Sequence, residues 1–272
     1  MRTITSKDGT TIAFDRAGKG PALILVGGMF EQRAMDSETA QLAAFPLLAE
    51  HFSVIHYDRR GRGDSTDTAA QEGRPYAVAW EIEDIEALID AAGGAAFLSG
   101  ISSGAALAFE AALALGGKVK KLAMYEAPYN DDADARQAWR KFRGELQEVL
   151  AQGRRGDAVG LFMMLLGMPA DQLDGMRQDP MWPMWEAIAP TIAYDAAVMG
   201  EAGSVPIERA ARLAVPALIM NGGASEWPFM HITAVALAKA MPHGQHRTLE
   251  GQTHEVAPEV LAPVLVEFFN TG

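Results

Sequence analysis

The 272-residue chain contains no cysteine. This absence excludes disulfide bonds, thiolate metal ligands and a cysteine nucleophile. The chain has six histidines, but they do not follow the spacing of metal-binding motifs, such as two histidines separated by three residues on one helix. We therefore expect no metal site.

Positive charge is scarce, since 23 lysines and arginines stand against 35 aspartates and glutamates, a net charge of −12. A nucleic-acid-binding protein normally carries a basic face, so we expect no nucleic-acid partner. Long apolar runs are also missing, and a membrane helix needs roughly 20 apolar residues. Residues 1–18 lack the basic and then apolar pattern of a signal peptide. We expect a cytoplasmic protein without a membrane partner.

Strand-like and helix-like patterns alternate along much of the chain, in which hydrophobic residues make up 49%. Residues 2–6 and 10–16 alternate in polarity around an Asp-Gly pair, which predicts a β-hairpin. The runs PALILVGG and FSVIHYD are continuously apolar, as is typical of strands buried on both faces. Residues 77–92 place their apolar side chains on one helical face. This alternation predicts a doubly wound, mostly parallel α/β sheet.

Strand patterns disappear between residues 129 and 205, where helical periodicity and many methionines and tryptophans take over. We predict that residues 129–205 form an inserted helical cap and that residues 1–128 and 206–272 form the core. Further strands are expected at 215–223 and 246–251, with helices at 229–241 and 257–269. A helix bent near Pro46 is expected over residues 37–52.

The sequence GISSG (100–104) lies where an apolar run changes into an alanine-rich helical run, and it fits the pattern G-x-S-x-G with Ser102 at its centre. On a tight turn between strand and helix, small flanking residues let the backbone adopt a strained conformation that exposes the serine hydroxyl. The N–H of Ser103 and the helix dipole then face a developing oxyanion. The alternative is a glycine-rich turn in which one serine caps the helix.

Four stretches together resemble the α/β-hydrolase superfamily: LILVGGMF (23–30), HYDRRGRGDS (56–65), LSGISSGAALA (98–108) and LEGQTHEVAPE (249–259). The order of nucleophile, helical segment and histidine also matches that family, and the resemblance covers most of the chain outside the cap. It implies an α/β-hydrolase sheet with an inserted helical cap, and a reaction that uses no cofactor.

His254 follows the last predicted strand, where the family carries its catalytic histidine. A base must hydrogen-bond the serine hydroxyl to take its proton, and the resemblance gives His254 this role. The family takes one oxyanion donor from the turn after its third strand. Here the candidates are the N–H of Met29, beside that of Ser103, and then the N–H of Gly28. Gly27 stands where the family often has histidine, so one orienting side chain is missing.

The acid of the triad is not at its usual place. The family has an aspartate after the seventh strand, where this chain has Ser225 followed by Glu226. Serine cannot stabilise an imidazolium, so Glu226 substitutes through a shifted turn, the acid lies elsewhere, or no carboxylate is present. Glu126 ends an apolar run, where a carboxylate is costly to bury without a partner. Certain lipases and haloalkane dehalogenases carry their acid after this strand, so we predict that Glu126 is the triad acid.

The stretch HYDRRGRGDS has two interpretations. Its cluster of Arg59, Arg60, Arg62 and Asp58 is similar to an anion site. In the family, however, this turn is mainly structural and ties loops together beneath the active site. We favour the structural interpretation.

Methionine and tryptophan crowd residues 163–185. Methionine fills irregular apolar spaces, so most of these side chains are expected to pack inside the cap. We predict that Trp182, Trp185 and Met164 face the cleft between cap and core, where the family binds substrate. The expected partner is therefore a small apolar molecule.

These features predict a serine hydrolase of the carboxylesterase or lactonase type that cleaves a small apolar carboxylic ester or lactone through an acyl-enzyme. In this hypothesis Ser102 attacks the carbonyl, His254 transfers the proton and Glu126 orients the imidazole. The same triad in this family also supports C–C bond hydrolysis, amide hydrolysis and cofactor-free perhydrolysis. A non-catalytic ligand receptor on the same fold is a further alternative. The sequence gives no indication of the oligomeric state.

Overall fold

The computed structural model describes residues 1–35 and 44–271. Eight strands form one sheet. In chain order they are β1 (Arg2–Thr5), β2 (Thr11–Ala17), β3 (Ala22–Val26), β4 (Ser53–Tyr57), β5 (Ala96–Ile101), β6 (Val119–Tyr125), β7 (Ala217–Gly222) and β8 (Gly244–Leu249).

The strands lie in the order β1-β2-β4-β3-β5-β6-β7-β8. The six strands from β4 to β8 in this order are parallel to one another, whereas β2 pairs antiparallel with both β1 and β4. The predicted doubly wound, mostly parallel α/β sheet is therefore confirmed. Because β5, β6 and β7 are adjacent and parallel, the segments that follow them meet at one edge of the sheet.

The hairpin predicted at the start of the chain joins β1 to β2. The side chain of Asp8 accepts a hydrogen bond from the N–H of Thr10 at 3.0 Å, and Gly9 has a φ of 88°. A positive φ is the conformation that glycine adopts without steric cost.

Among the described residues, α-helices alternate with strands both before and after residues 129–205, which contain helices but no strand. The helices are α1 (Phe45–Leu48), α2 (Thr68–Gln71), α3 (Val78–Ala91), α4 (Ser103–Leu115), α5 (Ala133–Ala151), α6 (Arg155–Leu165), α7 (Leu173–Met176), α8 (Trp182–Ile188), α9 (Ile192–Val198), α10 (Ile207–Ala210), α11 (Phe229–Ala240) and α12 (Pro258–Asn270). The predicted helix over 37–52 is described only from residue 44, and its first part lies outside the described residues.

Both faces of the parallel strands are buried. In β3, Ile24 belongs to an apolar cluster that includes side chains of α3 and α4, whereas Leu23 and Leu25 belong to a second cluster that includes side chains of α12. All three side chains are fully buried. This is the reason that the strand is a continuous apolar run instead of an alternating one.

No strand occurs between Tyr125 and Ala217, a part of the chain that the structure describes throughout. The helices α5 to α9 lie within residues 129–205, which we call the helical insert. A third apolar cluster lies inside the insert and includes Leu146, Val159 and Ile192, together with Phe30 from the core. The exact domain boundaries at 128/129 and 205/206 stay a prediction. None of the described helices is long and apolar enough to cross a membrane.

Candidate active site

Ser102 lies at the turn between β5 and α4. Its backbone has a φ of 54° and a ψ of −131°, and its N–H donates to the carbonyl of Tyr125 at 2.9 Å. A positive φ is uncommon outside glycine and is held only when the surrounding structure determines it. The turn therefore has the strained strand-to-helix form that G-x-S-x-G predicted.

The two glycines of GISSG allow close packing around this turn. A Cβ on Gly100 would lie less than 3 Å from the carbonyl oxygen of Gly104, and a Cβ on Gly104 less than 3 Å from that of Val26. Any larger residue at either position would push α4 away from β5 and β3.

Backbone strain is concentrated around Ser102. Within residues 1–35 and 44–271, the residues other than glycine with a positive φ are Phe30 at 66°, Ser102 at 54° and Glu126 at 46°. Phe30 and Ser102 line one cavity, and Glu126 is hydrogen-bonded to a histidine of the same cavity wall. Strained residues of this kind cluster at functional sites.

His254 and Glu126 form a close pair. Nδ1 of His254 lies 2.7 Å from Oε2 of Glu126, and the Glu126 side chain is fully buried while that of His254 is 26% exposed. With Nδ1 facing a carboxylate, the imidazole is held in one orientation and Nε2 is left for another partner. The structure thus brings together the two residues that sequence reasoning proposed as base and acid.

The carboxylate of Glu126 is fixed from the neighbouring strand. Its Oε1 accepts the N–H of Gly222 at 2.9 Å, and its own N–H donates to the carbonyl of Met220 at 3.0 Å. A buried carboxylate is costly unless it is hydrogen-bonded. The end of β7 and the imidazole together satisfy Glu126.

The loop that carries His254 is held on two sides. The hydroxyl of Tyr125 donates to the carbonyl of Thr253, and the ring of Trp227 meets the imidazole edge to face at 5.3 Å. Tyr125 precedes Glu126, so the end of β6 supports both the acid and the histidine loop.

The usual position of the acid, after β7, contains no carboxylate that reaches His254. Oγ of Ser225 accepts the N–H of Trp227 at 3.4 Å, and Glu226 is exposed to solvent. The structure therefore places Glu126, and not Glu226, against the imidazole.

The two predicted oxyanion donors lie beside Ser102. A Cβ on Gly28 would be 3.2 Å from the Cβ of Ser102, so the turn after β3 packs against the serine. Among the described residues, no acceptor binds the N–H of Met29. Ser103 begins α4, and the first N–H groups of a helix have no partner within it. By contrast, the N–H of Gly28 is taken up by the Glu31 carboxylate at 2.6 Å.

A cavity of about 520 Å³ opens at this edge of the sheet and contains Ser102 and His254 in its wall. The core supplies the loop of Met29 to Glu31 and the side chains of Trp227 and Met230. The helical insert supplies mostly apolar residues, which are Ala135, Ala138, Trp139, Phe162, Met163, Leu165, Leu166 and Met199. In the part of the chain that the structure describes, no lysine or arginine lines this cavity.

The three predicted substrate-binding residues do not line the cavity, which corrects the sequence-based expectation. Trp182 is 5% exposed and packs inside the helical insert, and Met164 is 38% exposed on the outer face of α6. The ring of Trp185 packs against that of Phe30, which does line the cavity, with the ring centroids 6.1 Å apart. The tryptophan that the helical insert contributes to the wall is Trp139, which no sequence pattern marked beyond its place on an amphipathic helix.

The arginines of HYDRRGRGDS are paired inside the protein. Arg59 binds Glu81 and Asp195, and Arg62 binds Asp195 and the carbonyl of Gly28. All of these side chains are buried. Burial acts to raise the pKa of Asp195, but the charges of Arg59 and Arg62 outweigh it and hold that pKa below its ordinary value. The structure therefore supports the structural interpretation of this stretch.

Among the described residues, no group of three or more histidine, aspartate and glutamate side chains is arranged to hold a metal ion. Ser102 and His254 instead line one cavity, and Glu126 binds the imidazole from behind its wall; these are residue types that acyl transfer uses as nucleophile, base and acid.

A model of the alpha/beta hydrolase family matches residues 23–264. Among solved structures, an alpha/beta hydrolase from Sphaerobacter thermophilus DSM 20745 is 48% identical with a TM-score of 0.82, covering 99% of this chain and 100% of its own. No curated protein gave a significant sequence match.

Two other solved structures share the fold at lower identity. A thermophilic esterase from Thermogutta terrifontis, bound to malate, is 20% identical with a TM-score of 0.71, covering 98% of this chain and 97% of its own. A meta-cleavage product hydrolase from Pseudomonas fluorescens IP01 is 18% identical with a TM-score of 0.68, covering 99% of this chain and 97% of its own.

Proposed function

The chain belongs to the alpha/beta hydrolase family, and from that premise we propose that it is a serine hydrolase that cleaves a small, neutral, apolar carboxylic ester or lactone through an acyl-enzyme. The observation that carries the proposal is the buried Glu126 carboxylate, 2.7 Å from Nδ1 of His254, at the wall of the cavity that contains Ser102.

The first half of the reaction forms the acyl-enzyme. Oγ of Ser102 attacks the carbonyl carbon while Nε2 of His254 takes its proton, and Glu126 stabilises the resulting imidazolium. The oxyanion accepts hydrogen bonds from the N–H groups of Met29 and Ser103. When the tetrahedral intermediate collapses, His254 gives the proton to the leaving alcohol.

The second half uses the same groups with water. His254 takes a proton from the water that attacks the acyl carbonyl, and the oxyanion forms again at Met29 and Ser103. Collapse releases the carboxylic acid and returns the proton to Ser102. These steps need no cofactor.

The cavity wall supports a neutral, apolar acyl group. The helical insert contributes aromatic and aliphatic side chains, and among the described residues the ionisable side chains of the wall besides His254 are the carboxylates Glu31 and Glu255. A substrate carboxylate would lose its hydration there without gaining a lysine or arginine partner from the described part of the wall.

The first test is incubation with a fluorophosphonate, followed by intact mass and peptide mapping. The probe phosphonylates an activated serine whatever the natural substrate is. We expect one adduct on Ser102, which Ser102→Ala removes and His254→Ala nearly abolishes. An adduct on Ser103, or none, would contradict the proposed function and favour a ligand receptor on the same fold.

A panel of neutral esters and lactones, with amides and vinylogous diketones as comparisons, then tests the bond that is cleaved. Turnover of the last two groups without ester turnover would overturn the ester and lactone assignment.

A further inference from the structure

Gly27 leaves a space that the side chain of Glu31 occupies. A Cβ on Gly27 would lie 2.8 Å from Oε2 of Glu31 and 3.0 Å from its Cβ. Glu31 is only 7% exposed, so it fills this space and does not project into solvent. Glu31 therefore takes the place beside the turn after β3 that a side chain at position 27 would otherwise take.

The Glu31 carboxylate also binds the turn directly. It accepts the N–H of Gly28 at 2.6 Å, which is the short length typical of a charge-assisted hydrogen bond. On the other side of this residue, Arg62 donates to the carbonyl of Gly28 at 2.6 Å. Both polar backbone groups of Gly28 are therefore fixed by buried charged side chains.

These two contacts determine where the next N–H points. The chain has no cis peptide bond in its described part, and a trans peptide directs its C=O and the following N–H to opposite sides. The N–H of Met29 therefore points away from Arg62. The N–H of Met29 also has no acceptor among the described residues.

We propose that Glu31 is a positioning residue that holds the turn after β3, so that the N–H of Met29 is fixed as an oxyanion donor. The inference rests on the proposed serine hydrolase function. Because the carboxylate lines the cavity in which an oxyanion forms, its negative charge disfavours the transition state. The useful part of Glu31 is thus its hydrogen bond to Gly28 and its volume, and not its charge.

This distinction makes Glu31→Gln and Glu31→Ala an informative pair. The amide oxygen of glutamine accepts the same N–H and fills the same space, whereas alanine does neither. Glu226→Ala is the matched control, since it removes an exposed carboxylate from the same edge of the sheet but outside the cavity wall.

The measurements are the second-order rate constant for fluorophosphonate labelling of Ser102, kcat and KM for a neutral ester, and Tm. We expect Glu31→Ala to lower the labelling rate and kcat by about 10- to 100-fold, because the buried N–H of Gly28 is then left without its acceptor. KM should change less than about threefold because the interaction acts in the transition state. Glu31→Gln and Glu226→Ala should stay within about threefold of wild type in every measurement.

A second variant tests the contact with Gly27. Gly27→Ala should slow labelling in the wild-type background, because its Cβ displaces the Glu31 carboxylate. In the Glu31→Ala background its added cost should be smaller, since Oε2 at 2.8 Å is gone and only the Cβ at 3.0 Å remains. Such non-additivity is the mark of two residues that act through one contact.

The outcomes separate this inference from the proposed function. If wild type is not labelled at Ser102, both are overturned. If wild type is labelled and Glu31→Ala is labelled equally fast, only the role of Glu31 is overturned. Loss of activity in Glu31→Gln equal to that in Glu31→Ala, or a loss explained by a lower Tm, would also overturn it.

Discussion

Two buried clusters of charge in this protein differ in how completely their members are paired. In the first, Glu126 binds Gly222 and one nitrogen of His254, and the imidazole is partly exposed at the cavity. In the second, each oxygen of Asp195 meets an arginine, Arg59 or Arg62, and all of these side chains are buried.

The difference separates reactive groups from structural ones. In a fully paired buried cluster, the cost of removing the charges from water offsets a large part of their electrostatic attraction. The cluster nevertheless fixes the surrounding elements in one arrangement. A pair that leaves one side of the imidazole toward a cavity can still exchange a proton with a bound molecule. We therefore expect the first cluster to control turnover and the second to control stability.

The largest effect is expected from Glu126→Gln. Glutamine keeps the shape of Glu126 but cannot stabilise the imidazolium, so kcat for a neutral ester should fall by about 10³- to 10⁴-fold. Glu226→Gln is the control and should change kcat by less than about twofold, because Glu226 is exposed and does not contact His254. The reverse pattern would identify Glu226 as the acid and remove the contrast between the clusters.

The next effect concerns Asp195→Asn, which removes the carboxylate that Arg62 binds and leaves Arg59 with Glu81. Breaking a buried pair of this kind costs about 3–5 kcal/mol of unfolding free energy. Asp157→Asn is the matched control, because Asp157 also binds two arginines, Arg154 and Arg177, but at the surface of the helical insert. It should cost less than about 1 kcal/mol. Equal losses in urea denaturation would contradict the comparison.

The ionised Asp195 carboxylate also makes the stability of the protein depend on pH. The folded-state pKa of Asp195 lies below its ordinary value, so its stabilising contribution is complete above the unfolded pKa of about 3.9. It is lost as the pH falls through the folded pKa. The Tm difference between wild type and Asp195→Asn should therefore be constant from pH 7 to pH 5 and shrink below about pH 4. A difference that grows on acidification would contradict this assignment.

Much of the sheet could be predicted because each pattern is local. The helix predicted at 77–92 is found at Val78–Ala91, and Ser102 lies at the turn between β5 and α4 as expected. The strand predicted at 246–251 instead runs from Gly244 to Leu249, since its first residues are polar and only its pairing with β7 reveals it. Glu126 was recognisable because a charged residue ended an apolar strand.

The cavity wall could not be predicted in the same way. Which face of α6 or α8 meets the cavity depends on how the helical insert packs on the core, and no local pattern determines that packing. For this reason Met163 lies at the wall while Met164, its neighbour, is exposed on the outer face of α6. The role of Glu31 was hidden because its contact with Gly27 requires the turn to fold back on itself.

The smallest effect concerns substrate charge, since the arginines are held in the second cluster and the described wall has none. Ethyl 4-methylpentanoate and monoethyl succinate are matched in shape, with an isopropyl group in the first where the second has a carboxylate. We expect kcat/KM to favour the neutral ester by about 10- to 100-fold. Leu166 is 43% exposed at the wall, and Leu166→Arg should raise kcat/KM for the monoester severalfold by supplying the missing cation. A wild-type preference for the monoester would mean that the cavity recruits a cation from outside its described wall, and the two clusters would then no longer divide the charged groups by function.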